Sequence, residues 1–99
     1  MTIDDQGETL RVGSVREVSM TNIGAFREEV RGAIKPSHKL LEIDLSESEF
    51  IDSSGLGALL SLQKLMTAQD GLVKILKPSQ KALQILELTR LHRVFEIVS

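Results

Sequence analysis

The sequence predicts a small α/β domain, with a mixed, mostly parallel β-sheet of about four to five strands packed against about three to four helices. Three observations carry this expectation. Apolar runs of strand length alternate with segments of helical period along most of the chain. Breakers stand between them at Pro36, Asp70-Gly71 and Pro78-Ser79. A length of 99 residues suffices for one core and not for two. The expected unit is therefore a single domain over 1–99, with residues 1–8 a flexible N-terminal segment.

Taken in order, Leu10, Val12 and Val15, with Val18 close behind, sit among polar residues around Gly13, the pattern of a weak strand or hairpin. From Thr21 the period changes. Ile23, Phe26, Val30, Ala33 and Ile34 recur at helical spacing while Arg27, Glu28 and Arg31 face away, and Ser19 or Thr21 is placed to cap the start. Pro36 ends this helix near Lys35, because it lacks an amide hydrogen and restricts the residue before it. Leu41, Ile43 and Leu45 then share one face of a strand and Leu40 adds apolar surface to the other, which predicts a strand largely covered on both sides.

After the acidic run Ser46-Glu47-Ser48-Glu49, read as a solvated loop, Leu56, Leu59, Leu60, Leu62, Leu65 and Met66 form the apolar stripe of a second helix. Asp70-Gly71 stops it, and Leu72 to Leu76 is the next strand. Ser79 caps a third helix with Ala82, Leu83, Ile85 and Leu86 inward, and Val94 to Val98 closes the chain as a strand. Strands separated by single helices pair in parallel through right-handed crossovers.

Composition removes several functions. Twelve Lys and Arg against fourteen Asp and Glu give a net charge of −2, so there is no basic field for a nucleic-acid backbone. Three Phe with no Trp or Tyr leave no platform for stacked bases. Without cysteine there is no disulfide, thiolate metal site or thiol redox chemistry. Met1 to Thr9 carries Asp4, Asp5 and Glu8 and no apolar run, unlike a signal peptide, and no stretch approaches a membrane span. A cytoplasmic protein without membrane insertion, cofactor or metal is the expectation.

The segment Asp52-Ser53-Ser54-Gly55-Leu56-Gly57 opens the second helix at the C-terminal side of a parallel strand, the place where sites collect in such sheets. Capping and the helix dipole account for Asp52 and one serine. They do not account for Gly55 and Gly57, each costing about 1 kcal/mol relative to Ala inside a helix. Glycines there point to a close approach by a partner, a phosphate or a tightly packed neighbouring loop.

Asp44-Leu45-Ser46, Phe50-Ile51-Asp52-Ser53-Ser54-Gly55-Leu56-Gly57 and Glu87-Leu88-Thr89 with Leu91 together resemble the STAS domain of bacterial anti-sigma-factor antagonists. The resemblance spans about Leu40 to Ile97. It implies a small STAS-like α/β fold and no enzymatic activity of its own. The switch residue of that family is the serine before the first glycine of the string, which falls on Ser54. Asp52, Ser53, Ser54, Gly55, Leu56 and Gly57, with Ser19 and Thr21 on the preceding loop, are the implied partner-binding residues. The implied function is partner switching. The unphosphorylated antagonist binds an anti-sigma factor that is also a serine kinase and so releases what that factor held. Phosphorylation of Ser54 ends the complex, and a metal-dependent serine phosphatase resets it.

Two positions depart from the family pattern. Arg16-Glu17-Val18-Ser19 stands where members commonly carry Gly-x-hydrophobic-Asp, and Arg90 stands where a glycine often follows the third helix. An Arg there must either adopt a left-handed conformation or end the helix differently. An accessory STAS subunit of a membrane lipid transporter is the alternative function, and Ser54 tells against it, since those relatives tend to lack a serine at this position. Gly55-Leu56-Gly57-Ala58-Leu59-Leu60 matches a dinucleotide fingerprint only in part, without its third small residue or the distal acid. His38 and His92 lie in polar stretches and read as solvated surface residues rather than as a base for Ser54.

Overall fold

The protein, described over residues 1–99 by a computed structural model, begins with an antiparallel hairpin. Strands β1 (Thr2–Gln6) and β2 (Thr9–Gly13) meet across a turn in which Gly7 takes φ +85° and donates its amide to Asp5 Oδ1 at 3.1 Å. There follow β3 (Glu17–Val18), α1 (Ile23–Ala33), β4 (Leu40–Asp44), β5 (Phe50–Ile51), α2 (Ser53–Ala68), β6 (Leu72–Leu76), α3 (Gln80–Leu88), a 3-10 turn (Leu91–Arg93) and β7 (Glu96–Val98). The main sheet has the order β1-β2-β4-β6-β7, parallel except at β1, and β3 pairs in parallel with β5 as a separate two-stranded ribbon. This is the expected mixed, mostly parallel α/β architecture.

Because β2, β4, β6 and β7 succeed one another in a single direction across the sheet, right-handed crossovers put all three helices on one face. Leu10, Val12, Leu41, Ile43, Val73 and Ile75 point to that face and are buried against Phe26 and Val30 of α1, Leu59, Leu62 and Met66 of α2, and Ala82 and Leu86 of α3. β4 is therefore covered on one side and not on both. Its partly exposed Glu42 and Asp44, alternating with Leu41 and Ile43, already carry the signature of a half-buried strand, which Leu40 obscures.

The open face is ordered by charge. The strand register aligns Asp4 with Arg11, Arg11 with Glu42, Glu42 with Lys74 and Lys74 with Glu96, a row of alternating sign across five strands. Cross-strand pairs of opposite charge contribute about 0.2–1 kcal/mol each. Such a row explains how one face of the sheet stays in water without exposing a broad apolar patch.

Residues 1–8 differ from expectation, since Thr2–Gln6 is a strand and its end is tied down. His38 is fully buried, with its Nδ1 accepting the Lys35 amide hydrogen at 2.9 Å. Nε2 therefore carries the ring hydrogen and meets Asp5 Oδ1 at 3.0 Å, while Lys35 Nζ lies 2.9 Å from Asp5 Oδ2. His38, then Lys35, then the Gly7 amide hold the Asp5 carboxyl far below the usual carboxylate range. His38 is thus a buried clamp and not a solvated residue, and His92 is half-buried, with Nδ1 3.3 Å from the Leu86 carbonyl oxygen.

The ends of elements also correct the reading. Asn22, and neither Ser19 nor Thr21, occupies the N-cap of α1, and its side chain is turned back to accept from the Ser19 amide at 2.9 Å and donate to the Glu17 carbonyl at 2.6 Å. Arg90 takes the left-handed conformation at φ +61°, which lets the 3-10 turn form and delays the last strand to Glu96.

Reversing the sign at the middle of the charge row tests its contribution. Lys74→Glu would put three carboxylates side by side on β4, β6 and β7, and is expected to lower stability by about 1 kcal/mol in low salt, as measured by urea unfolding. The loss should shrink at high ionic strength.

Candidate functional site

The site is assembled where the small ribbon meets the start of α2. Pairing of Glu17 with Phe50 and of Val18 with Ile51 brings the chain before α1 alongside the chain before α2. The acidic loop keeps Ser46, Glu47 and Glu49 exposed, as expected, but is anchored to the same region: Ser48 is buried, its hydroxyl donates to the Val15 carbonyl at 2.6 Å, and Glu49 N–H donates to the Arg16 carbonyl at 3.0 Å. The Ser79 hydroxyl, which caps α3 through the Ala82 amide, also donates to the Ser48 carbonyl at 2.6 Å.

Asp52 is the N-cap of α2. One carboxylate oxygen accepts from the Gly55 amide at 2.9 Å, inside the helix, and the other accepts from the Met20 amide at 3.0 Å, 32 residues away on the loop entering α1. The amides of Met20 and then Gly55 hold the Asp52 carboxyl below its ordinary range. One side chain thus caps the helix and fastens a second loop to it.

Gly55 and Gly57, alike in sequence, have different reasons to exist. A Cβ on Gly55 would lie 1.9 Å from the Val18 carbonyl oxygen, so the first turn of α2 sits directly on the β3 backbone. Close packing by a neighbouring loop explains this residue. Gly57 is exposed, and a Cβ there meets nothing within 4 Å. No packing within the chain requires it.

Of the partner-binding residues expected from sequence, Ser53, Gly57 and Thr21 are exposed and Asp52 and Ser54 half-buried. Ser19, Gly55 and Leu56 are buried, so they lie beneath the surface that the others form. Ser19 accepts from the Thr21 amide at 3.2 Å and its hydroxyl hydrogen-bonds Glu17, which stiffens the loop. Sequence reasoning missed Met20, whose backbone is held by Asp52 and whose side chain is 76% exposed. It is the most exposed large apolar residue of the chain, and lies between Ser19 and Thr21, which the sequence did single out.

The arrangement suits recognition and acceptance of an anion more than catalysis. Ser54 sits in the first turn of a 16-residue helix, where the dipole favours negative charge, with the Gly55 amide already taken by Asp52. His38 precedes the N-terminal end of β4 and His92 that of β7, so both lie toward the opposite end of the sheet from the start of α2. No three His, Cys, Asp or Glu side chains converge as metal ligands, and no helix is long and apolar enough to cross a membrane.

Residues 3–99 match the family model of the STAS domain. The chain belongs to the STAS domain family. A Thermotoga maritima protein assigned as an anti-sigma factor antagonist is 26% identical over 83 residues, 83% of this chain and 74% of that protein. The crystal structure of an assigned anti-sigma factor antagonist from the same organism superposes with a TM-score of 0.90 at 22% identity, covering 99% of this chain and 85% of that one. The Bacillus anti-sigma factor antagonist SpoIIAA in its unphosphorylated form gives a TM-score of 0.73 at 19% identity, over 99% of this chain and 86% of that one. Its phosphorylated form gives 0.71 at 18% identity, over 99% and 90%. The STAS fold is thus common to all of them.

The two glycines are separable by mutation. Gly55→Ala must push the Val18 carbonyl aside and is expected to destabilise by about 3 kcal/mol, whereas Gly57→Ala is expected to stabilise by about 1 kcal/mol, both read by chemical denaturation.

Acid titration tests the Asp52 clasp. A carboxyl depressed in the folded state contributes stability that is complete above its unfolded pKa, about 4, and is lost as pH falls through the lower folded value. Thermal melts of wild type between pH 5 and 2 should therefore fall more steeply than those of Asp52→Ala.

Proposed function

We propose that this STAS domain is an anti-sigma-factor antagonist that works by partner switching. The unphosphorylated form binds an anti-sigma factor with serine kinase activity and thereby releases the sigma factor or other regulator it holds. Transfer of the γ-phosphoryl group of ATP to the Ser54 hydroxyl, with loss of its proton, ends binding. A metal-dependent serine phosphatase hydrolyses the phosphoserine and restores the first state. In this reading the domain is a regulatory binding protein and not an enzyme.

The observation that carries the reading is the position of Ser54 on a pre-braced helix start. Asp52 fixes both α2 and the Met20 loop, so Ser54 stands on a helix start braced to a second loop, with Ser53 and Gly57 exposed on the helix and Met20 and Thr21 exposed on that loop. Phosphorylation adds a charge of about −1.5 to −2 and three acceptor oxygens. A helix start tolerates the added anion. A partner does not: with one of its carboxylates within about 6 Å, repulsion amounts to about 1 to 5 kcal/mol for effective dielectrics from water to protein surface. That weakens binding by about tenfold to several thousandfold. The likeness to both SpoIIAA forms, at TM-scores of 0.73 and 0.71, supports a switch that acts by charge without a change of fold.

The test combines the protein with a candidate kinase and ATP, maps the product, and measures affinity by calorimetry. Phosphate is expected on Ser54. Ser54→Ala should bind as wild type does and ignore ATP, and Ser54→Asp should bind at least about tenfold more weakly. Phosphate on Ser53 alone, or equal affinities for the two variants, would overturn the assignment.

A further inference from the structure

We propose that the groove between α1 and α2 docks an acidic segment of the protein partner, as a continuation of the surface around Ser54; this rests on the partner-switching reading. The groove is open to solvent and has a volume of about 520 Å³. Arg27 and Arg31 line it from α1, and Ser61, Lys64, Leu65 and Ala68 from α2, with the buried Leu62 beneath. Three cations and no carboxylate face it, in a chain whose net charge is −2.

None of these cations is held in an ion pair within the protein. The ion pairs of the chain join Arg11 to Asp44 and both Lys35 and His38 to Asp5, at other places in the fold. Arg27 and Arg31 are exposed and stand four residues apart on one helix, an arrangement that repels rather than stabilises. A pair of cations without ion-pair partners on one helix, opposite a third cation, is complementary to an acidic partner.

The apolar floor narrows the ligand further. A free phosphate would leave the half-buried Leu65 and the Ala68 methyl uncovered. The α2 wall from Ser61 to Ala68 runs about 10 Å, or two helical turns. It fits a segment with carboxylates one turn apart and an apolar side chain between them. Direction agrees as well. Ser54, Gly57, Ser61, Leu65 and Ala68 recur every three or four residues and so share one face of α2. A partner standing on Ser54 has the groove directly in line.

The kinase that phosphorylates Ser54 serves as the probe, in calorimetric titrations without ATP. The double variant Arg27→Glu with Lys64→Glu is expected to bind it about tenfold to a hundredfold more weakly in about 50 mM salt, with the difference shrinking as salt rises. Arg27→Lys with Arg31→Lys, which keeps the charge, should stay close to wild type. Circular dichroism melts should be unchanged in both. If Ser54 is phosphorylated and the double variant binds with wild-type affinity, the groove proposal falls and the switch stands. Retention on phosphatidylglycerol vesicles that the double variant loses, with kinase affinity unchanged, would assign the groove to a membrane surface and overturn the proposal. If no kinase modifies Ser54, the switch reading and the groove fall together.

Discussion

The first turn of α2 rests on the backbone of β3 with no side chain between them, and the candidate site depends on that contact. Only a glycine at position 55 permits it, since a Cβ would lie 1.9 Å from the Val18 carbonyl oxygen. With the two elements in contact, Asp52 reaches from its own helix to the Met20 amide and joins chain segments 32 residues apart. Two further bonds, from Ser48 to Val15 and from Glu49 to Arg16, hold the approach to β5 against the approach to β3. Surface residues from two loops and a helix therefore have fixed relative positions before any partner arrives. Preorganisation of this kind lowers the ordering cost of association.

Division of labour follows from the one-sided layering. All three helices cover one face of the sheet, so the candidate site is built where the ribbon meets the start of α2, at the strand ends and not in a cleft between layers. Gly55 serves the interior and Gly57 the exterior, although they are two residues apart and equally unfavourable in a helix. Ser19 and Met20 divide in the same way, one buried and bonded, the next exposed and apolar. Alternation between support and display within a few residues is how a chain of 99 residues builds both a core and the candidate site.

Much of this was legible in the sequence, and the reasons differ by element. The central strands and helices followed from periodicity, because each buries one face against a single core. Ser79 was recognisable as a cap from its place after Pro78, and the structure gives it a second bond to Ser48 that no local pattern encodes. The N-terminal strand was missed because all five of its residues are exposed and its order comes from pairing with β2 and from Asp5 meeting His38 and Lys35. His38 was misread for the same reason: its burial depends on residues 33 positions away. At the site, Asp52 and Ser54 stood out by residue type and spacing. The separate roles of Gly55 and Gly57 did not, since only the location of Val18 distinguishes them.

The charge row on the open face also bears on how the strands find their alignment. Parallel strands joined through helices have no tight turn to set their offset. A slip of one residue between β4 and β6 would turn the apolar set outward and is excluded by burial. A slip of two preserves the apolar face, and burial alone discriminates weakly against it. In that slipped pairing Glu42 would lie opposite Leu72 or Leu76, and Lys74 opposite Asp44 or Leu40, instead of opposite each other. Repeated at each strand boundary, this makes the native offset the one that matches all five charges at once. The open face, outside both the core and the candidate site, thus favours the native strand offset over a two-residue slip.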